Sequence, residues 1–343
     1  MRACYSIEGK SCIRCGACAT VAPAHFHVKV GPAKVLRAAD GDRELSACEA
    51  ARLICPTQAI LKGDAQQAAL ETAAPAEPAE LFPTLLEAAE SVRWKLADLP
   101  WASFDATKAT PALRAVVREM AYSEQTTFSA TQKFMERFGT DADFSQWISV
   151  WFYEETRHPL VLLKWLQAAG ETQNDDFVMK GRESEPFMPS LIGTLVINIV
   201  SELVAAHAYL HMASGRLEPL LYATVLKLAA DEGRHAASFF TYARRLLDQS
   251  EKPERDRLDA LKVLHFWLNI GSDVSHPVNQ AMKRLEALLP ALGAPPFVPP
   301  NERIAQVLGA LTGLKLDSAG DLPGTLLEQT RRVRAASSAT AAA

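Results

Sequence analysis

With 343 residues, 48% of them apolar, the chain is long enough for two domains and a sizeable core. A formal net charge of −4 leaves no basic excess for a nucleic-acid partner. The longest apolar run, 191–200, carries Thr194 and Asn198 and is too short to span a bilayer, and the start Met1-Arg2-Ala3-Cys4-Tyr5 has no basic-then-apolar signal pattern. The expectation is a soluble cytoplasmic protein with no membrane span.

All six cysteines (Cys4, Cys12, Cys15, Cys18, Cys48, Cys55) lie within the first 55 residues. A disulfide framework does not suit the expected compartment, and such clustering points to a metal site. Cys12-Ile13-Arg14-Cys15-Gly16-Ala17-Cys18 is C-x2-C-x2-C, and Cys55-Pro56 supplies the closing Cys-Pro of the bacterial iron–sulfur pattern. A second-cluster ligand would stand four residues after Cys18, but that position is Ala22, before Pro23. One [4Fe–4S] cluster on Cys12, Cys15, Cys18 and Cys55 is therefore expected, with a [3Fe–4S] form should one iron be labile. Zinc is the competing reading, and Cys-Pro is not a zinc signature. Cys4 and Cys48 read as packing thiols. The segment 1–62 resembles single-cluster bacterial ferredoxins, which implies a small α+β domain that transfers electrons.

Residues 63–82 are rich in Ala, Glu, Gln and Pro and read as a linker. Before it stand nine Lys/Arg against five Asp/Glu, so a basic unit precedes an acidic remainder, a balance that suits docking of one on the other. Helical periodicity then predicts four long helices over 111–138, 144–168, 189–212 and 218–247, with shorter ones near 84–98, 253–271, 275–289 and 301–312. Residues 83–335 are read as one helical domain and 336–343, low in complexity, as a disordered tail.

Two motifs of the form acid-Glu-x-Arg-His stand out, Glu154-Glu155-Thr156-Arg157-His158 and Asp231-Glu232-Gly233-Arg234-His235. Residues three apart share a helix face, so each Glu/His pair can grip one ion. Two such helices, plus one Glu from each of two others, make the ferritin-like di-iron carboxylate site. Glu202 lies on the apolar stripe Leu191, Leu195, Asn198, Tyr209, where a buried charge needs a partner or a metal. Glu124 continues the stripe Leu113, Val117, Met120, Phe128 and is favoured over Glu119, which belongs to a more polar row. The spacings Glu124–Glu155 and Glu202–Glu232, 31 and 30 residues, suggest two similar helix pairs. The expected ligands of two non-haem iron ions are thus Glu124, Glu155, His158, Glu202, Glu232 and His235, with Asp231 behind a ligand histidine and Arg157 and Arg234 offsetting the carboxylate excess. Pro159 inside the second helix should free the carbonyl of Glu155 and bend the helix beside the metals.

At these residues the chain resembles the soluble acyl-carrier-protein desaturases. Trp151-Phe152-Tyr153-Glu154-Glu155-Thr156-Arg157-His158 matches that family's Trp-x-x-Glu-Glu-x-Arg-His, and Ala229-Ala230-Asp231-Glu232-Gly233-Arg234-His235 its Ala-Ala-Asp-Glu-x-Arg-His. Residues 120–124 look like its first-helix segment, with Ser123 in place of Thr. The resemblance covers about 95–250. It implies O2-dependent desaturation of an acyl chain held as a carrier-protein or other thioester, with an electron route through Trp151 and Asp231 and Trp101 as a further tryptophan. Ala205 stands where the family has an O2-assisting Thr, and the ferredoxin is fused rather than separate. A di-iron hydroxylase or N-oxygenase of a small metabolite is the alternative, although Leu228 fills the third-histidine position of the arylamine N-oxygenases. His207 and His211 are further candidates for a ligand or proton donor. Met120, Phe128, Ile199 and Phe239 either line an acyl site or pack the core. The partners implied are O2, the substrate, a ferredoxin reductase and a second copy in a homodimer. A ferritin-like storage role does not call for a ferredoxin in cis, and the rubredoxin and extra Glu ligand usual in rubrerythrins are not seen in the sequence.

Overall fold

In the computed structural model, residues 2–28, 31–63, 80–183, 188–215, 217–269, 277–288, 290 and 296–342 are described; the expected linker lies outside them from 64 to 79. The first unit comprises β1 (Arg2–Ile7), α1 (Ala17–Val21), β2 (Phe26–His27), β3 (Lys34–Val35), β4 (Ala39–Asp40), α2 (Asp42–Ile54) and β5 (Ile60–Gly63). β1 is the central strand, antiparallel to β4 (Arg2 opposite Asp40) and to β5 (Ile7 opposite Ile60), and β2 pairs with β3. α2 turns Cys48 and Ala51 into the small core with Tyr5, while Ile54 joins the core of the bundle. Small side chains let this helix lie close to the strands.

The remainder is helical: α3 (Phe82–Val92), α4 (Pro111–Ser123), α5 (Thr127–Phe138), α6 (Ala142–Glu155), α7 (Arg157–Ala168), α8 (Asp175–Gly181), α9 (Leu191–Ala213), α10 (Pro219–Asp248), α11 (Pro253–Asn269), α12 (Pro277–Leu288), α13 (Asn301–Thr312) and α14 (Leu322–Ala342). α9 and α10 pack along each other, α4 against α7 and α5 against α6. These pairs form a helical bundle, so the fold is mainly α with a small N-terminal α+β unit. Side-chain oxygens of Thr110, Asp141, Ser190 and Glu218 accept from the first free amides of α4, α6, α9 and α10.

Two of the long helices expected from periodicity are broken. The span 111–138 is interrupted by a 3-10 turn, Glu124–Thr126. Ser123 Oγ bonds the carbonyl of Glu119, and Thr126 Oγ1 that of Ser123, at 2.9 Å each. Such back-bonding competes with the helical ladder and bends it. The span 144–168 parts at Thr156, three residues before the proline that cannot donate to Glu155. Both breaks fall beside a proposed ligand. α8 and α14 had no counterpart in the pattern, and α14 continues to Ala342, so residues 336–342 of the expected disordered tail extend a helix instead.

α9 is long and apolar enough to cross a membrane by length and composition, contrary to the sequence expectation, but 78% of its most apolar window is buried within the protein. It is a core helix. Beside it a stacked aromatic layer fills the bundle: Phe134 on Phe239 at 5.3 Å between centroids, and Trp147 edge-on to Phe239 at 4.8 Å.

The start of α10 is fixed by Glu218. Its buried carboxylate accepts from the amides of Asp105, Leu220 and Leu221 and from Trp165 Nε1, at 2.7–3.1 Å. Glu218→Ala leaves four donors without an acceptor, and we expect a loss of at least about 3 kcal/mol in urea unfolding followed by circular dichroism. A loss below about 1 kcal/mol would show that water replaces the carboxylate.

Candidate metal centres

Cys12, Cys15, Cys18 and Cys55 line one cavity, enclosed by Ile7, Ile13, Val28 and Ile60. Cys4 and Cys48 lie outside its lining and are buried in the small core. The loops that present the four thiols hold two non-glycine residues in the left-handed region, Arg14 at φ 60° and Gln58 at φ 54°. Strain of this kind persists where the surroundings over-determine the backbone. The amide of Ala33 donates to Cys12 Sγ at 3.3 Å. Burial, reinforced by the neighbouring thiol of Cys55, pushes Cys15 up to about 12, and burial also raises Cys18. Four sulfurs crowded into one cavity suit a positively charged cluster core, which would hold them as thiolates.

In the bundle, six side chains converge from the 3-10 turn at Glu124, α6, α7, α9 and α10. Ligand atoms of Glu155, Glu202, Glu232 and His235 lie within 4.8 Å of one another, as do those of Glu124, Glu155 and His158. Glu155 turns Oε2 to His158 Nδ1 (3.6 Å) and Oε1 to His235 Nδ1 (2.7 Å). Glu232 does the same with Oε1 (3.3 Å) and Oε2 (3.6 Å). Glu124 reaches only His158, at 3.5 Å, and Glu202 only His235 among the two imidazoles, at 3.8 Å. The rings stack with centroids 6.0 Å apart.

Both Nδ1 atoms and Glu155 Oε1 are buried without a hydrogen bond of acceptable geometry. Orphaned polar atoms in a buried site call for an explanation, and here all three face the same space. Burial pushes Glu124 up to about 7 against the pull of His158, and burial with the charge of Glu232 raises Glu202 well above the usual carboxylate range. Four carboxylates cannot share this space ionised without cations. Two divalent ions would cancel their four charges and engage both imidazoles, so the donor set fits such a pair.

The far side of each imidazole is held by the other motif. His158 Nε2 meets Asp231 at 3.3 Å, and His235 Nε2 meets Glu154 at 3.1 Å. Although burial works to raise Glu154, Arg234 brings it down to about 2. Arg234 donates to Glu154 at 2.7 Å and to Asp231 at 2.8 Å. Arg157 lies 3.4 Å from Asp231 and gives another donor to the carbonyl of Trp94 at 2.5 Å. Both acids are thereby kept ionised, fixing each imidazole with Nδ1 toward Glu155 and Glu232.

The six ligand candidates come together, and Glu119 stands apart, paired with Arg284. Trp151 also reaches the site, but at Glu202, to which its Nε1 donates at 3.2 Å, whereas Trp94 donates to Asp231 at 2.8 Å. The tryptophan–aspartate–histidine contact thus runs through Trp94, which the sequence reading passed over. Trp101 bonds the carbonyl of Leu96 instead. His207 and His211 pack on Phe297, and Phe239 belongs to the aromatic core. Glu154 was also missed, although the repeated acid before each Glu was a signal for it. Tyr209, noted only as part of a stripe, donates its hydroxyl to Glu124.

Residues 7–61 match the family described as the 4Fe-4S single cluster domain of Ferredoxin I. A comparison with curated proteins found no match. Among solved structures, variants of an R2-like ligand-binding oxidase are similar: one with an aerobically reconstituted Mn/Fe cofactor shares 18% identity, over 74% of this chain and 92% of that one, at a TM-score of 0.45. Another, reconstituted with Fe/Fe, shares 16% over 74% and 91%, at 0.44. Neither likeness bears on the site described above, which rests on the geometry of this chain.

Proposed function

We propose that the chain is a ferredoxin-fused, O2-activating di-iron oxidase, with residues 1–62 as its electron-transfer domain and 83–335 as its catalytic domain. The observation that carries this reading is the exchange of carboxylate oxygens between two histidines, with Glu155 and Glu232 each turning one oxygen to each imidazole. Glu124 and His158 would complete one ion's protein ligands, and Glu202 and His235 the other's. Bound iron would supply the reduction of O2 and the oxidising power for an unactivated C–H bond. Asp231 and Glu154 hold the imidazoles, Arg234 and Arg157 hold those acids, and Trp151 restrains Glu202. Tyr209 restrains Glu124 and is the nearest side-chain proton donor to it. Cys12, Cys15, Cys18 and Cys55 would bind the one-electron carrier, supplied in turn by a ferredoxin reductase.

For the substrate, we propose an acyl chain held as a carrier-protein or other thioester, on the motif resemblance around His158 and His235. The apolar side chains of Met120 and Ile199, buried beside the ligand helices, suit such a chain. Mass spectrometry of products from acyl-carrier and free-acid substrates tests it. Loss of two hydrogens supports desaturation; gain of one oxygen would overturn it in favour of hydroxylation or N-oxygenation.

Glu155→Ala should lose iron from the bundle while the cluster keeps its visible absorption; full retention of bundle iron would reject the shared-ligand assignment. Cys55→Ser should abolish reductase-driven turnover, while chemically reduced protein still reacts once with O2. Loss of that single reaction would contradict the division of labour between the two units.

A further inference from the structure

The two metal-binding motifs share the form Glu-x-Arg-His but differ at x, which is Thr156 in one and Gly233 in the other. Thr156 is half-buried, and its hydroxyl bonds the end of the preceding helix, at the carbonyl of Tyr153. Gly233 has no such freedom. A Cβ placed there would lie 2.7 Å from Cγ, 3.1 Å from Cδ and 3.3 Å from Cβ of Pro56, the residue that follows the fourth cluster cysteine. A proline ring cannot swing aside as a flexible side chain would. The glycine is what lets the Cys55-Pro56 loop seat on α10.

The next residue makes the second contact. Arg234 is 2% exposed, and its Nη1 donates to the carbonyl of Cys15 at 3.3 Å while Nη2 serves Glu154 and Asp231. Its Cδ also lies 3.7 Å from where a Cβ on Gly16 would stand. Arg157, its counterpart in the first motif, spends its donors on Trp94 and Asp231 and meets no cluster residue in its described contacts. α1 packs on α10, α2 packs on α13, and Arg303 from α13 donates to the carbonyl of Cys55. The cluster loops are therefore clamped on two sides, and at Arg234 one guanidinium spans from a cluster ligand to the acids behind both histidines.

We propose that Gly233 and Arg234 form a built-in docking and electron-entry point. Gly233 sets how closely the cluster loop approaches, and Arg234 is the positioning residue that joins Cys15 through Asp231 to His158 and through Glu154 to His235. The proposal rests on the assignment of the two metal centres above. The transfer it serves moves one electron from the cluster to one metal ion; the first is oxidised and the second reduced by one electron, no bond is made or broken, and the ferredoxin reductase restores the electron.

The test uses the full chain loaded with both centres, under anaerobic conditions. A photoreduced deazaflavin delivers one electron per cluster, and freeze-quenched EPR follows decay of the reduced-cluster signal and growth of a mixed-valent iron signal. Gly233→Ala should slow that decay several-fold, because the rate of electron transfer falls exponentially as donor and acceptor move apart. Iron content and the cluster's midpoint potential should stay unchanged. Adding Pro56→Ala to Gly233→Ala removes the two closest clashing atoms and should restore the rate. Arg234→Lys keeps the charge, loses the fork and adds no bulk; it should slow decay likewise, and it carries the test if the alanine variant loses iron. Decay at the unmodified rate in Gly233→Ala with both centres intact, or no recovery in the double variant, would overturn the proposal. A cluster signal that persists in the unmodified protein, while dithionite-reduced protein still reacts with O2, would refute the electron route as a whole. Absence of both reactions would refute the di-iron assignment itself.

Discussion

Burial of carboxylates is the constraint on which the rest of the molecule depends. Glu124, Glu155, Glu202 and Glu232 stand within reach of two imidazoles inside the bundle. Each ionised carboxylate taken from water without compensation costs several kcal/mol. Packing alone does not offset that, since His158 and His235 each leave one nitrogen without a hydrogen bond. A cation pair resolves both problems. The layer behind it shows the same logic closed with protein groups alone: Glu154 and Asp231 are matched by Arg157 and Arg234, with Arg93 3.3 Å from Glu154 at the edge. The site is thus divided into the carboxylates proposed to hold metals and a charge set already paired by arginines.

That division explains local features that would otherwise be defects. Helical geometry is interrupted at Glu124–Thr126 and at Thr156, beside two of the proposed ligands. A break there frees a carboxylate from the strict orientation of an unbroken helix, and interruptions inside long helices recur at functional sites. α9 and α10 run unbroken through the same region, so one side of the site is rigid and the other locally adjusted. The aromatic layer around Phe134 and Phe239 and the four-donor anchor at Glu218 hold that rigid side in place. The docked N-terminal unit adds a third element, since Arg234 belongs both to the paired charge set and to the contact with Cys15.

Much of this was legible in the sequence where a short spacing forces a geometry. C-x2-C-x2-C with a distant Cys-Pro defines a thiolate pocket, and Glu-x-x-His defines a helix face. Glu202 was visible as one charge on an apolar stripe, and Glu124 as a charge continuing another. What periodicity does not encode is which distant side chain meets which. Trp151 sits in the motif and draws the eye, yet Trp94, 137 residues from Asp231, makes the contact. The exchange of Glu154 and Asp231 between motifs needed the helices side by side. The breaks in two long helices were only half visible: Pro159 announced one, whereas the other arises from Ser and Thr hydroxyls that are equally at home on a helix surface. Pairing of the cluster loop with α10 left a single trace, the glycine at 233, whose meaning appears only once Pro56 lies against it.

The central claim is that two iron ions share Glu155 and Glu232 in a chain that also carries a cluster. Mössbauer spectroscopy of the oxidised protein loaded with iron-57 tests it most directly. Two ferric ions bridged by shared carboxylates should appear as an exchange-coupled pair with a diamagnetic ground state, beside the separate doublets of a four-iron cluster. Magnetically isolated high-spin ferric ions in the bundle, or a cluster spectrum with no second iron component, would contradict the account.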